Sequence, residues 1–262
     1  MKWLLLAVAI VAGAAQTPPA SDRPRVLGIA HVTVQVSDMA KARAFYGGVL
    51  GFAEESPARP HRGVFIINSR QRLIVEDGLP PDRDERLRNV GFDVDRVAMP
   101  ETTDPDGHTV QFVSMAAVSP AIATPDRRIS RRMLHAGLTI KDAAAADRFY
   151  KDKLGFSEIW RGGRPEGTIN WINMRVPDGT DYLEYMLYPA APPTRRQLGS
   201  AHHVALLVTD IQQALETVRA RTKPGDPNHT ANPNIGVNNR WQLNVFDPDG
   251  TRVEFMEPFT AR

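Results

Sequence analysis

The chain has 262 residues, of which 42% are hydrophobic and 24% charged. These are the proportions of a soluble globular protein, and they exclude a largely disordered, collagen-like or polytopic membrane chain. A total of 32 Lys and Arg against 30 Asp and Glu leaves a formal charge of +2, too even for a nucleic-acid binder. With no cysteine in the sequence, disulfides, a thiol nucleophile and thiolate metal ligands are all excluded.

Residues 1–15 read as a secretory signal. Lys2 is a minimal positive start, Trp3 to Val11 is a short apolar run, and Ala12-Gly13-Ala14-Ala15 supplies small residues for cleavage. The run is too short for a permanent membrane-spanning helix. The expectation is a secreted or periplasmic protein without a stable membrane anchor. Residues 16–26, rich in Pro and polar side chains, read as a tether. The rest of the chain, roughly 240 residues, is enough for one large domain or two of about 120.

The chain then repeats itself. His31-Val-Thr-Val-Gln-Val-Ser-Asp, Phe45-Tyr46 and Leu50-Gly51-Phe52 return as His135-Ala-Gly-Leu-Thr-Ile-Lys-Asp, Phe149-Tyr150 and Leu154-Gly155-Phe156, all three blocks offset by 104 residues. Each copy predicts a strand from its alternating apolar residues, an Asp N-cap, a helix, and a Gly C-cap before the next strand. His203-Val-Ala-Leu-Leu-Val-Thr-Asp and Asn89-Val-Gly-Phe-Asp-Val-Asp open two further units. Asp104-Pro-Asp-Gly and Asp247-Pro-Asp-Gly are matching tight turns into closing strands. Four units result, near 27–78, 88–115, 133–189 and 200–258. The second is too short between Asp95 and Asp104 for a helix and two strands. Residues 27–115 therefore form an N-terminal pair with a truncated second unit, 116–132 a basic, Pro-containing linker, and 133–258 a C-terminal pair.

These motifs resemble the vicinal oxygen chelate superfamily, which includes glyoxalase I, extradiol dioxygenases, methylmalonyl-CoA epimerase and bleomycin-resistance proteins. The resemblance runs from about Leu27 to Glu257. It implies an α+β fold of repeated βαβββ units pairing into cupped mixed sheets around a metal. Four residues fall where such a metal is held: His135 and Glu184 in the third unit, His203 and Glu254 in the fourth. The spacing from His to Glu is 49 residues in one and 51 in the other. Imidazole and carboxylate suit one divalent ion, Zn, Ni, Co, Mn or Fe. In the first pair Asn89 replaces the second His and Gln111 the last carboxylate, so His31 reads as structural. His202 faces away from His203 as a supporting residue, and His61, His108 and His229 carry no signal.

The family implies two chemistries. An isomerase, epimerase or lyase would use the metal as a Lewis acid, with Glu184 or Glu254 as ligand and general base. An extradiol dioxygenase would use His135, His203 and Glu254 only. The dioxygenases place a Tyr ten residues before the last ligand, where this chain has Asn244, and a catalytic His that 232–242 lacks. The expected function is therefore an isomerase, epimerase or lyase on a small oxygenated molecule. A ring-cleaving dioxygenase is the alternative, and a metal-free binding module of the bleomycin-resistance type is a third reading. Polar residues within apolar strands, Asn170, Asn173, Gln242 and Asn244, with Arg161 and Arg240-Trp241, are the candidate substrate contacts. The partner is a small molecule and no nucleic acid, and the protein is expected as a monomer or homodimer.

Overall fold

The computed structural model describes residues 23–56, 58–81, 86–115, 125–188 and 201–261. The expected export segment, most of the tether and residues 116–124 of the linker lie outside the described residues. Among the described residues no helix is long and apolar enough to cross a membrane.

The first unit opens with β1 (Val26–Gln35), buried along almost its whole length. Asp38 then accepts hydrogen bonds from the amides of Ala40 and Lys41, starting α1 (Met39–Arg43). The helix closes as a wider π turn over Ala44–Val49, burying Phe45 and Tyr46. Gly51 ends it at φ +78°, a conformation that costs glycine nothing. Strands β2 (Ala53–Glu54), β3 (Arg62–Ile66) and β4 (Arg72–Glu76) complete the unit. The third unit repeats this plan: β8 (Met133–Ile140), an Asp142 cap on α2 (Ala143–Asp147), a π turn, Gly155 at φ +79°, then β9 (Ser157–Gly162), β10 (Trp171–Arg175) and β11 (Tyr182–Leu187).

The second unit has only β5 (Leu87–Val94), β6 (Glu101–Thr103) and β7 (Thr109–Val113). Its helix and one strand are missing, as the short stretch before Asp104 predicts. The fourth unit is complete: β12 (His203–Leu207), α3 (Ile211–Arg221), β13 (Asn234–Ile235), β14 (Arg240–Phe246) and β15 (Arg252–Thr260).

Units one and two share a seven-stranded sheet, β2-β3-β4-β1-β5-β7-β6, and units three and four an eight-stranded sheet, β13-β14-β15-β12-β8-β11-β10-β9. In each sheet the two opening strands lie antiparallel at the centre, and each pairs in parallel with the last strand of its own unit. Chemistry-bearing residues on opening and closing strands are thereby neighbours.

The helical sides of the sheets face each other across one apolar core that includes residues of all four units. Two buried bonds cross it reciprocally. The Tyr46 hydroxyl donates to Asp247 Oδ2 and the Tyr150 hydroxyl to Asp104 Oδ2, each at 2.9 Å. The Phe-Tyr block of one half is thus tied to the Asp-Pro-Asp-Gly turn of the other. The described end of the linker is packed rather than loose: Ile129 N donates to Leu50 O, and Arg132 pairs with Asp181 at 2.9 Å. The end of the tether is docked too, through Arg23 and Asp178 at 2.8 Å.

Candidate metal centre

Strand pairing brings four side chains to one spot on the cupped face of the C-terminal sheet. His135 lies opposite Ala205, and His203 opposite Gly137. Glu184 pairs with Gly137 and Glu254 with Ala205. Small residues stand beside the functional ones, so the large side chains converge over them. Gly137 is the tightest case: a Cβ there would lie 2.1 Å from the His203 ring.

The Nε2 atoms of His135 and His203 are 2.9 Å apart. Glu254 Oε2 is 3.4 Å from the first and 3.7 Å from the second; Glu184 Oε2 is 3.9 Å and 3.4 Å away. All four residues are buried. Burial first, and then the nearby Arg252 charge, hold both imidazoles far below their ordinary pKa. They are neutral at pH 7, the form that binds metals. Burial pushes both carboxyls up, and at Glu184 the neighbouring Glu254 charge acts in the same direction.

His135, His203 and Glu254 fit a divalent ion: one ligand atom from each lies within 4.8 Å of the others. Two neutral imidazoles and a carboxylate are a donor set for such an ion, and Glu184 stands beside them, outside that group. Adjacent nitrogen donors of one ion stand about 3 Å apart, close to the spacing seen. His203 Nδ1 lies 2.9 Å from the Ala201 carbonyl and 2.7 Å from Arg252 Nη2. The carbonyl accepts and the guanidinium donates, so the two contacts call for opposite tautomers of the ring; both hold the ring in place with Nε2 facing the cluster. The ring of His135 packs against that of Tyr182, centroids 4.6 Å apart.

A cavity of about 220 Å³ opens above the cluster, with Glu184, Glu254 and Arg252 at its base. Trp160, Trp171, Gln242, Asn244 and Asn238 form its walls, and Arg164 also lines it. Of the candidate contacts, Gln242 and Asn244 line it. Asn173 sits beside Glu184 across the β10–β11 pair, buried, its Oδ1 without a partner. Asn244 sits beside Glu254 in the same way, its Oδ1 equally unpartnered.

The others are elsewhere. Asn170 Oδ1 accepts from Arg164 N at 2.7 Å and organises the loop before β10. Arg161 pairs with Glu158 on the outer face, because strand alternation gives the cup to its neighbour Trp160. Trp241 packs against the apolar core beneath the sheet. Arg240 does not line the cavity; its charge contributes to the lowered pKa of His135. His202 and His108 meet edge to face, centroids 5.2 Å apart, where the halves touch. His108, featureless in sequence, is buried and bonded to Asp104 at 2.7 Å. The reading from sequence missed Trp160, Trp171, Arg252 and the loop residues Asn234 and Asn238, for which only the alternation of β9 and β10 held any signal.

The same register positions in the N-terminal sheet hold His31, Asn89, Ile74 and Gln111. Gln111 donates through Nε2 to Glu101 at 2.8 Å, which turns its Oε1 to His31 Nε2 at 2.9 Å. An amide oxygen accepts, so His31 Nε2 carries the proton and offers no lone pair. His31 is a satisfied structural histidine, as its sequence context predicts.

No curated protein matches the chain in sequence. Solved structures match over nearly its whole length. The 2,3-dioxygenase LapB of Pseudomonas sp. KL28 is 18% identical with a TM-score of 0.66, over 89% of this chain and 93% of its own. Homoprotocatechuate 2,3-dioxygenase of Brevibacterium fuscum, in an anaerobic complex with 3,4-dihydroxyphenylacetate, is 20% identical with a TM-score of 0.66, over 92% and 83%. Its counterpart from Arthrobacter globiformis is 18% identical with a TM-score of 0.67, over 91% and 82%. At these identities the likeness is one of fold. The family model described as Glyoxalase/Bleomycin resistance protein/Dioxygenase superfamily matches residues 28–98 and 132–255, well over half of the sequence, and the chain belongs to that superfamily.

Proposed function

We propose that the chain is a metal-dependent enzyme acting on a small molecule with two adjacent oxygens, and that its chemistry is the oxygenative opening of a catechol ring. The observation that carries this is the buried pair of imidazoles, 2.9 Å apart, beside Glu184 and Glu254, two carboxylates that line a cavity walled by Trp160 and Trp171. Similarity over about nine-tenths of the chain to ring-cleaving 2,3-dioxygenases supports the oxygenase over the isomerase that the missing Tyr and His had favoured. His135, His203 and Glu254 would hold the ion. A bound divalent iron or manganese supplies a Lewis acid and a route for electrons between catechol and oxygen. Trp160 and Trp171 offer apolar ring faces to a planar substrate and keep water from it. Asn244 and Gln242 orient its oxygens.

A second reading rests on Glu184. A fourth donor beside the three leaves fewer open positions, and a buried carboxyl with a raised pKa suits proton abstraction next to a carbonyl. This is the isomerase, epimerase or lyase chemistry.

Elemental analysis of the protein purified without chelator should find one divalent metal per chain. Loaded anaerobically with Fe²⁺, it should then consume oxygen with catechols. Metal-dependent deuterium exchange next to a carbonyl, without oxygen uptake, would move the assignment to the second reading. No metal bound on purification or titration would leave a binding module. Export belongs to the same proposal, and the N-terminal sequence of the protein recovered outside the inner membrane should begin near residue 16.

A further inference from the structure

The N-terminal cup has lost its metal-binding set but keeps a hollow of about 410 Å³, larger than that of the C-terminal cup and in the range of small-molecule sites. Its apolar lining is Val64, Ile74, Val113 and Met115; its basic lining is Arg59, Arg62 and Arg72. Register shows how the two cups differ. Arg72 pairs with His31 as Tyr182 pairs with His135, so a guanidinium stands where the other cup has a phenol. Arg62 occupies the position of Trp171, and Ile74 that of Glu184. One cup gathers negative charge around a cation site. The other removes those carboxylates and gathers positive charge around an apolar one.

The charges do not cancel within the cup. Glu55 holds Arg72 at 2.5 Å, with the Arg72 side chain only 10% exposed. Glu76 lies 3.4 Å from Arg62. Arg59 has no carboxylate partner among the described residues. A bare inorganic anion would leave the apolar lining wet, and a neutral apolar molecule would leave Arg59 unused. We infer that this cup is a second small-molecule site, which takes a hydrophobic organic anion: a carboxylate on an apolar body. The apolar body covers Val64, Ile74 and Val113, and the carboxylate meets Arg59 and Arg62 through charge-assisted hydrogen bonds.

The test uses 2-naphthoate as the probe and calorimetry on the full chain. Two preparations remove the metal as a ligand for the probe: wild type stripped of metal, and a His135→Ala variant. Saturable binding at one site per chain is expected in both. The Arg59→Gln/Arg62→Gln variant should weaken it about tenfold or more, as loss of a charged hydrogen bond does. Both arginines are surface side chains, and thermal melts of the variant check that it folds. The neutral 2-naphthalenemethanol should bind wild type more weakly by a similar factor. Absence of saturable binding overturns the inference. So does binding that ignores the arginine pair, or that disappears in Trp171→Ala, which would assign the probe to the C-terminal cup.

Discussion

The two sheets of this protein set the same four register positions in the same geometry, and one gathers two imidazoles and two carboxyls there while the other does not. His135, His203, Glu184 and Glu254 in one stand where His31, Asn89, Ile74 and Gln111 stand in the other. The backbone therefore does not make the site. Three side-chain identities do, together with the proton that Gln111 fixes on His31 Nε2. The fold supplies convergence, and the residues decide whether what converges is a ligand set or a closed hydrogen-bond chain.

The sharpest test of that contrast is removal of one histidine from each half. His135→Ala or His203→Ala should lower metal content from about one ion per chain to none, with affinity down roughly 100-fold or more for a lost imidazole ligand. His31→Ala should leave the metal content unchanged. The contrast should also be reversible. Asn89→His with Gln111→Glu frees His31 and rebuilds two imidazoles and a carboxylate, so elemental analysis should rise to about two ions per chain.

Glycine substitution separates packing from ligation. A Cβ on Gly91 would lie 2.1 Å from the His31 ring, as one on Gly137 would from His203. Each Gly→Ala should cost about 1–3 kcal/mol in denaturant unfolding through overpacking. Only Gly137→Ala should also lose the metal.

The cross-half bonds should be unequal. Asp104 Oδ2 has a second partner in His108, whereas Tyr46 is the side-chain donor to Asp247 Oδ2. Tyr46→Phe should thus destabilise by about 2 kcal/mol and Tyr150→Phe by about 1, within the range for a buried polar group left unpaired.

The smallest effect is in pH. Burial works against ionised Asp104, but hydrogen bonds from His108 and Tyr150 outweigh it and lower its pKa. Burial raises that of Asp247. A lowered carboxyl stabilises above its unfolded pKa, and that contribution disappears as pH falls through the folded value. A raised one behaves oppositely, disfavouring the fold as pH rises from the unfolded to the folded value. Asp104→Asn should therefore cost most near pH 7 and less in acid, and Asp247→Asn least near pH 7 and more in acid, in melts recorded across pH 3–7.

Much of this was legible in the sequence because repetition is a constraint that loops do not blur. The 104-residue offset marked units one and three, the short stretch between Asp95 and Asp104 marked the missing helix of the second, and the His-to-Glu spacings of 49 and 51 residues singled out four side chains that the sheet brings together. Strand alternation separates neighbours that the sequence grouped: Trp241 packs beneath the sheet while Gln242 faces the cup. The register of β14 against β15 also shifts between Arg240 and Gln242, and Arg240 does not line the cavity. The cavity walls were the hidden part. Asn234 and Asn238 reach it from a turn whose direction is set only by the finished sheet, and Trp160 does so from a strand whose pairing slips between Asn173 and Met174. Arg252 was overlooked because a loop-proximal arginine looks solvated until its parallel pairing beside His203 is known.

The reciprocal tyrosine bonds bear on how such a chain can change over generations. Each half anchors its partner's closing turn, so a duplicated unit can lose its chemistry residue by residue but cannot be shed as a block. The half without a metal set is free to drift in its cup and bound to persist in its helical face. Inheritance should therefore tolerate new ligands there far more readily than it tolerates a shorter protein.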